Sequence, residues 1–201
     1  MHKIAITGRI GTGKTTVSGI IKELGYEVFE SDKETKKILL KPYIIKKITK
    51  EFGNKIPNLI KSDKKIDTNK LGGFVFDNKF ELRILEKIIH PEIWKNKKSF
   101  MNANSRKKIL FFDIPLLFEK KIEQNYDFII YTTVNFTIQK ERVLKRKNMT
   151  LNKFKQICKN QGKLTIAQKK KVSLEINTEL KLNFIEKKLR DFIKSILCYE
   201  I

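Results

Sequence analysis

Gly8-Arg9-Ile10-Gly11-Thr12-Gly13-Lys14-Thr15 sets a glycine, four further residues and then Gly-Lys-Thr close to the start of the chain. That spacing fits the P-loop pattern, whose chemistry is the cradling of phosphate. Gly11 and Gly13 let the backbone wrap closely round phosphate oxygens. N–H groups left unpaired at a helix start point at the anion, and the helix dipole favours it. Gly8 and the run Ile10 to Thr16 (Ile10, Gly11, Thr12, Gly13, Lys14, Thr15, Thr16) are therefore the candidate nucleotide contacts. Lys14 can reach the outer phosphates, and the Thr15 hydroxyl can ligand Mg²⁺. Asp113 closes the apolar run ILFFD, where an acid would sit beside the nucleotide's metal ion. Its plain alternative is a strand-end turn residue. Asp32 is the candidate acceptor of a substrate hydroxyl proton, with a helix N-cap role for Ser31 or Asp32 as the alternative. Arg142 and Arg146 lie four apart, so one helix face would carry both, and arginine suits forked phosphate contact. The alternative there is a solvated face.

These groups need a scaffold. Lys3–Thr7 (KIAIT) reads as a buried strand, and Val17, Ile20, Ile21 and Leu24 have helical spacing after the loop. Tyr26–Glu30, Ile109–Asp113, Phe128–Thr132 and Val172–Ile176 read as four more strands. Ligands bind beyond the carboxyl ends of such strands, so Asp32 and Asp113 are expected near the P-loop. Residues 33 to about 105 look mostly helical. Ile44, Ile45, Ile48 and Phe52 make one stripe, Leu82, Leu85, Ile88 and Ile89 another, and 53–68 reads as a polar loop. His90-Pro91 is expected to close the long second helix, with His90 either structural or a ligand contact. From Thr137 the pattern is helical and basic, and Leu151–Asn160 reads as a second helix, giving a hairpin over 138–165. A final amphipathic helix carries Leu182, Ile185, Leu189, Phe192 and Ile196 on one face.

At 201 residues the chain is one domain with insertions. The expected organisation is a core of 1–32, 106–137 and 166–201, a substrate-binding insertion over 33–105 and a lid over 138–165. The formal charge of +22 comes from 44 basic against 22 acidic residues, with only six arginines, and the lysines are spread from end to end. A dedicated nucleic-acid surface would cluster its charge, so no specific nucleic-acid partner is expected; a basic P-loop nucleic-acid-binding protein is the rival reading. No apolar run approaches the roughly 20 residues of a transmembrane helix. No signal peptide is visible, and Cys158 and Cys198 have no metal-like spacing. A cytoplasmic enzyme without a membrane partner, monomeric or weakly homo-oligomeric, is the expectation.

The pieces, in this order, resemble the dephospho-CoA kinase family over nearly the whole chain. The resemblance rests on the P-loop, Asp32 after strand two, and Asp67 with Leu71 and Val75-Phe76. It continues through His90-Pro91, Asp113-Ile114-Pro115-Leu116-Leu117-Phe118-Glu119, Gln139 with Arg142 and Arg146, and Gln161 followed by Asn177. It implies an α/β P-loop NTPase three-layer fold with a five-stranded parallel sheet, a helical substrate insertion and a helical lid. It also implies transfer of the ATP γ-phosphate to the ribose 3′-hydroxyl of dephospho-CoA, the last step of coenzyme A biosynthesis, with Mg²⁺ held by Thr15 and Asp113. Lys14, Asp32 and Arg142 are then catalytic, Arg142, Arg146 and Asn177 join the ATP site, and Asp32, Lys36, His90, Leu117 and Glu119 contact dephospho-CoA. Arg9, Thr12, Thr15, Lys36 and Trp94 depart from the family pattern, which has glycine at the first of these positions, serine at the next two and arginine at the last two. Another P-loop nucleoside, nucleotide or small-molecule kinase is the alternative enzyme.

Overall fold

Short runs rich in β-branched and aromatic residues form one parallel sheet: β1 (His2–Gly8), β2 (Val28–Glu30), β3 (Ile109–Asp113), β4 (Phe128–Thr133) and β5 (Leu174–Asn177). The structure is a computed structural model that describes residues 1–76 and 78–198. Strand order is β2-β3-β1-β4-β5, and each neighbouring pair is parallel. β1 is central and buried from Ile4 to Gly8, as a strand covered on both faces must be. Parallel strands put their carboxyl ends on one edge. The register sets Ile6 opposite Asp113, Gly8 opposite Thr132 and Thr133 opposite Asn177, so these residues emerge along that edge together.

The helices are α1 (Lys14–Glu23), α2 (Ser31–Ile38), α3 (Pro42–Phe52), α4 (Thr68–Phe76), α5 (Lys79–Ala103), α6 (Phe136–Leu144), α7 (Leu151–Gln161), α8 (Ile166–Lys170) and α9 (Leu182–Cys198). The chain divides into two compact units, one of Met1–Glu30 with the chain from Asn104 onward, the other Ser31–Ala103.

In the sheet unit, α1 and α9 pack on Ile4, Ile6, Phe111, Ile130 and Ile176. The α9 residues that do so are Ile185, Leu189, Ile193 and Ile196, each worth roughly 1.5–3 kcal/mol of burial. The expected stripe is corrected at two positions. Leu182 begins the helix and is 62% exposed, and Phe192 sits at the core margin with its ring edge-on to Phe128. Ile193 takes the buried place. β2 and β5 begin two residues later than the sequence pattern indicates. The short helix α8, closed by a capping box between Thr165 and Gln168, is an addition.

The helical unit has its own core, centred on Ile38, Ile44, Ile48, Phe52, Leu71, Val75 and Ile89. Two expectations fail here. The 53–68 segment is more than a polar loop: Ile56, Leu59 and Ile66 are buried, and Ile60 bridges Ile66. Nor does His90-Pro91 end a helix, because α5 runs straight through it for 25 residues. Proline removes one helical donor, a local cost. Packing along the whole of α5 outweighs that cost, together with Asn96 donating to Glu34 at 2.8 Å and Lys41 to Glu92 at 2.7 Å.

Candidate active site

The P-loop leaves the carboxyl end of β1 and enters α1 through Gly13, whose left-handed backbone (φ 87°) excludes most side chains. A Cβ there would stand 2.7 Å from Thr178 Cγ2, and one on Gly11 would stand 2.5 Å from Val143 Cγ2. Both glycines are thus required by close approach as well as by φ. Among the described residues no side chain caps α1, and its first turn holds no acid. Such a helix start is suited to an anion. Thr15 and Thr16 are exposed at that start. Lys14 Nζ donates to the carbonyls of Gly8 (2.7 Å) and Arg9 (3.2 Å), so the ammonium is held over the loop.

Side chains outside the loop fix its shape. Ile10 is gripped at both backbone groups: its N–H donates to Gln161 Oε1 (2.8 Å), and its carbonyl accepts from Gln139 Nε2 (2.7 Å). These glutamines come from α7 and α6, and Arg9 Nη2 adds a bond to the Cys158 carbonyl of α7 at 3.2 Å. Thr12 Oγ1 bonds the Arg9 carbonyl and buried Thr132. Arg142 donates to Thr178 Oγ1 (2.8 Å) and to the Thr178 carbonyl (3.0 Å), while Thr178 Oγ1 also bonds the Thr12 carbonyl at 3.0 Å. Thr178 therefore links Arg142 to the loop. Arg146 does not share its helix. α6 ends at Leu144, and Arg146 lies in the following turn, exposed. The expected arginine face is thereby reduced to Arg142. Asn177, at the end of β5, is exposed and its Oδ1 accepts from Glu179 N–H.

Asp113 ends β3 partly buried, and its Oδ2 accepts from Ser18 Oγ at 3.2 Å. Ser18 lies one turn beyond Thr15 on α1, which brings carboxylate and hydroxyl to the same end of that helix. Leu117 is fully buried, and its carbonyl accepts from Ile122 N–H. With its side chain buried, an acceptor contact by Leu117 would fall to its main chain. Two residues on, Glu119 is exposed. Desolvation pushes its carboxyl above the usual range, against the opposing charges of Lys14 and Arg9.

Asp32, Lys36 and His90 belong to the helical unit. Ser31 and Asp32 are the first two residues of α2 itself. Asp32 and Lys36, four apart and both exposed, share one face of α2. His90 lies with Arg83, Glu86, Lys87, Pro91 and Trp94 along an open groove on α5, its Nε2 3.8 Å from Glu86 Oε1. Trp94 is 68% exposed, with Lys97 Nζ 6.0 Å from its ring centre. Sequence reasoning missed Ser18, Thr132 and Thr178. Each is a lone hydroxyl with no spacing signal, found only once the strands are in register.

A glycine-rich loop of this shape, on the central strand of a five-stranded parallel sheet with an acid ending the neighbouring strand, defines the class: a P-loop kinase fold. The dephospho-CoA kinase family model matches residues 2–178. A dephospho-CoA kinase of Fusobacterium nucleatum is 33% identical over 194 residues, 96% of this chain and 97% of that one. That of Buchnera aphidicola is 35% identical, over 96% of this chain and 89% of its own. The solved dephospho-CoA kinase from Campylobacter jejuni is similar with a TM-score of 0.65 and 27% identity, over 97% of each chain. The chain belongs to the dephospho-CoA kinase family.

Proposed function

We propose that the chain transfers the γ-phosphate of ATP to the ribose 3′-hydroxyl of dephospho-CoA, giving coenzyme A and ADP. The observation that carries this reading is the family match over residues 2–178, which spans the P-loop and the whole helical unit. In this reading Lys14 exchanges the Gly8 and Arg9 carbonyls for the outer phosphate oxygens, and the amides from Gly11 to Thr16 take the rest. Thr15 and Asp113 supply hard oxygen donors that suit Mg²⁺, an ion that keeps waters and phosphate oxygens among its ligands. The bound ion would supply positive charge against the phosphate oxygens.

Asp32 accepts the 3′-hydroxyl proton as the new O–P bond forms and the β,γ-bridging oxygen leaves with its electron pair on ADP. Arg142, from the 138–165 lid, exchanges Thr178 for the phosphates and spreads the charge of the transition state. Arg146 follows from the turn beyond, and Asn177 lines the ATP side. Lys36 and His90 contact dephospho-CoA, and Glu119 meets it beside the loop. To test this, purified protein is incubated with Mg-ATP and, separately, dephospho-CoA, adenosine, AMP and shikimate, and the products are resolved by mass spectrometry. Phosphorylation of dephospho-CoA alone is expected. Phosphate on another acceptor and none on dephospho-CoA would leave the P-loop kinase class and remove the substrate.

A further inference from the structure

Among the described residues of α7, Phe154 alone is buried, its ring centre 5.8 Å from that of Phe136 at the start of α6. A helix of eleven residues is marginal on its own in water; isolated helices below roughly 12–15 residues are so even in alanine-rich sequences. One buried side chain gives α7 little apolar anchorage, so its place depends on polar bonds. Two of these reach from the P-loop to its last turns. Ile10 N–H donates to Gln161 Oε1 at 2.8 Å, and Arg9 Nη2 donates to the Cys158 carbonyl at 3.2 Å. The second bond is charge-assisted, by a guanidinium that cannot be deprotonated. It also sets a cation at the carboxyl end of a helix, where the helix dipole favours one.

Arg9 is itself held. It is partly buried, and its Nε is enclosed without a hydrogen-bond partner among the described residues. Its carbonyl accepts from Lys14 Nζ, Thr12 Oγ1 and Thr12 N–H. The residue is thus fixed to the phosphate loop by its backbone and to α7 by its side chain. α6, which carries Arg142, grips the next residue through Gln139 on the Ile10 carbonyl. We propose that Arg9 is a positioning residue: it tethers α7 to the P-loop before nucleotide arrives, so the α6–α7 hairpin is already docked when ATP binds. Arg9 acts through α7 and not on phosphate. The inference rests on reading the loop as the ATP site and 138–165 as its lid, and it is independent of the acceptor.

The test is amide hydrogen exchange over 151–161, with α9 as internal reference, in the unmodified protein, Arg9→Met and Arg9→Lys. Methionine keeps most of the stem and removes the guanidinium. Without nucleotide, 151–161 should exchange about tenfold faster in Arg9→Met, the lower end of the range for a hydrogen bond to a charged group, with α9 unchanged. Arg9→Lys should recover part of the protection, since its shorter ammonium keeps the charge and loses the fork. Saturating Mg-ATP should bring Arg9→Met to within about threefold of the unmodified protein, because it binds the docked state. The Kd for Mg-ATP, read by calorimetry, should rise by no more than the exchange does, and kcat with dephospho-CoA should hold within about twofold. Equal exchange over 151–161 in the unmodified protein and Arg9→Met would overturn the tether. So would α9 exchanging faster in the same measure, which would make Arg9 a residue of general stability. A kcat lowered by about tenfold or more with an unchanged Kd for Mg-ATP would overturn it too, by placing Arg9 on the transferring phosphate. Absence of Mg-ATP binding in the unmodified protein would instead remove the nucleotide reading, with the exchange difference still deciding the tether.

Discussion

The phosphate loop and the helical unit carry their charges in different ways. At the loop three cations are tethered to backbone: Lys14 to the Gly8 and Arg9 carbonyls, Arg9 to that of Cys158, and Arg142 of α6 to that of Thr178. In the helical unit Asp32 and Lys36 project from one exposed face of α2, and Trp94 stands 68% exposed on α5. The first arrangement fixes positive charge before any phosphate arrives, so little reorganisation is left to the moment of reaction. In the proposed function the second would grip dephospho-CoA with side chains on helix faces, where one residue can replace another at modest cost. Both positions in this region that depart from the family pattern, Lys36 and Trp94, lie on such faces. Of the loop's own departures, Arg9 is bonded to α7 and Thr12 to the Arg9 carbonyl and Thr132. Substitution at the loop should therefore abolish chemistry, and substitution in the helical unit should mostly retune binding.

The largest effect is expected at Lys14. Lys14→Ala should lower turnover by about a thousandfold or more by removing a charge contact to the outer phosphates. Its thermal stability should stay close to that of the unmodified protein, since Lys14 belongs to neither hydrophobic core. Near-normal turnover in the folded variant would break the comparison at its loop end. Asp32→Asn should keep ATP binding and lower kcat by roughly two to four powers of ten if Asp32 accepts the proton. An unchanged rate would reduce Asp32 to a first-turn helix acid. That residue is the exception the comparison needs, a group on the helical unit whose loss affects chemistry.

Smaller effects sharpen the contrast. Arg142→Ala should cost about 10- to 100-fold in kcat with less change in the KM of dephospho-CoA; steady-state kinetics with each substrate varied in turn separates the two. Lys36→Arg with Trp94→Arg should lower the KM of dephospho-CoA several-fold and leave kcat in place, because a guanidinium forks onto pyrophosphate where an ammonium or an indole cannot. A change in kcat without a change in KM would contradict a purely binding role. The smallest effect concerns stability. Bonds from Lys41, and secondarily from Tyr43, hold the Glu92 carboxyl below its ordinary pKa. A depressed carboxylate stabilises the fold above its unfolded pKa and loses that contribution as pH falls through its folded pKa. Glu92→Gln should thus melt slightly lower at neutral pH, and the difference should shrink as pH falls below about 4 and through the depressed pKa. A gap that persists in acid would assign the effect to packing.

Much of the sheet unit is legible in the sequence because its signals are local. KIAIT and ILFFD are continuous apolar runs, and the glycines of the loop announce themselves by spacing. Asp113 lies at the predicted strand end for the same reason. The helical unit is harder to read. A proline after a histidine is a stop signal in isolation, yet α5 passes through it because its contacts along 25 residues exceed one lost bond. Ile56, Leu59 and Ile66 have no helical or strand period, so their burial follows only from the surrounding helices. Arg146 fails from the opposite cause. Four-residue spacing presumes a continuing helix, and α6 ends two residues short of it. Thr178 and Ser18 were invisible because single hydroxyls carry no pattern until a partner 95 or 166 positions away is brought beside them.

The division between a fixed donor loop and a tunable acceptor unit has its most direct test in where the phosphate goes. Dephospho-CoA is incubated with the protein and Mg-ATP, and the product is examined by ³¹P and ¹H NMR. The account predicts one new phosphomonoester whose phosphorus couples to the ribose H3′, identical with coenzyme A. A phosphorus coupled to H2′, or ATP consumed with dephospho-CoA unchanged, would contradict it.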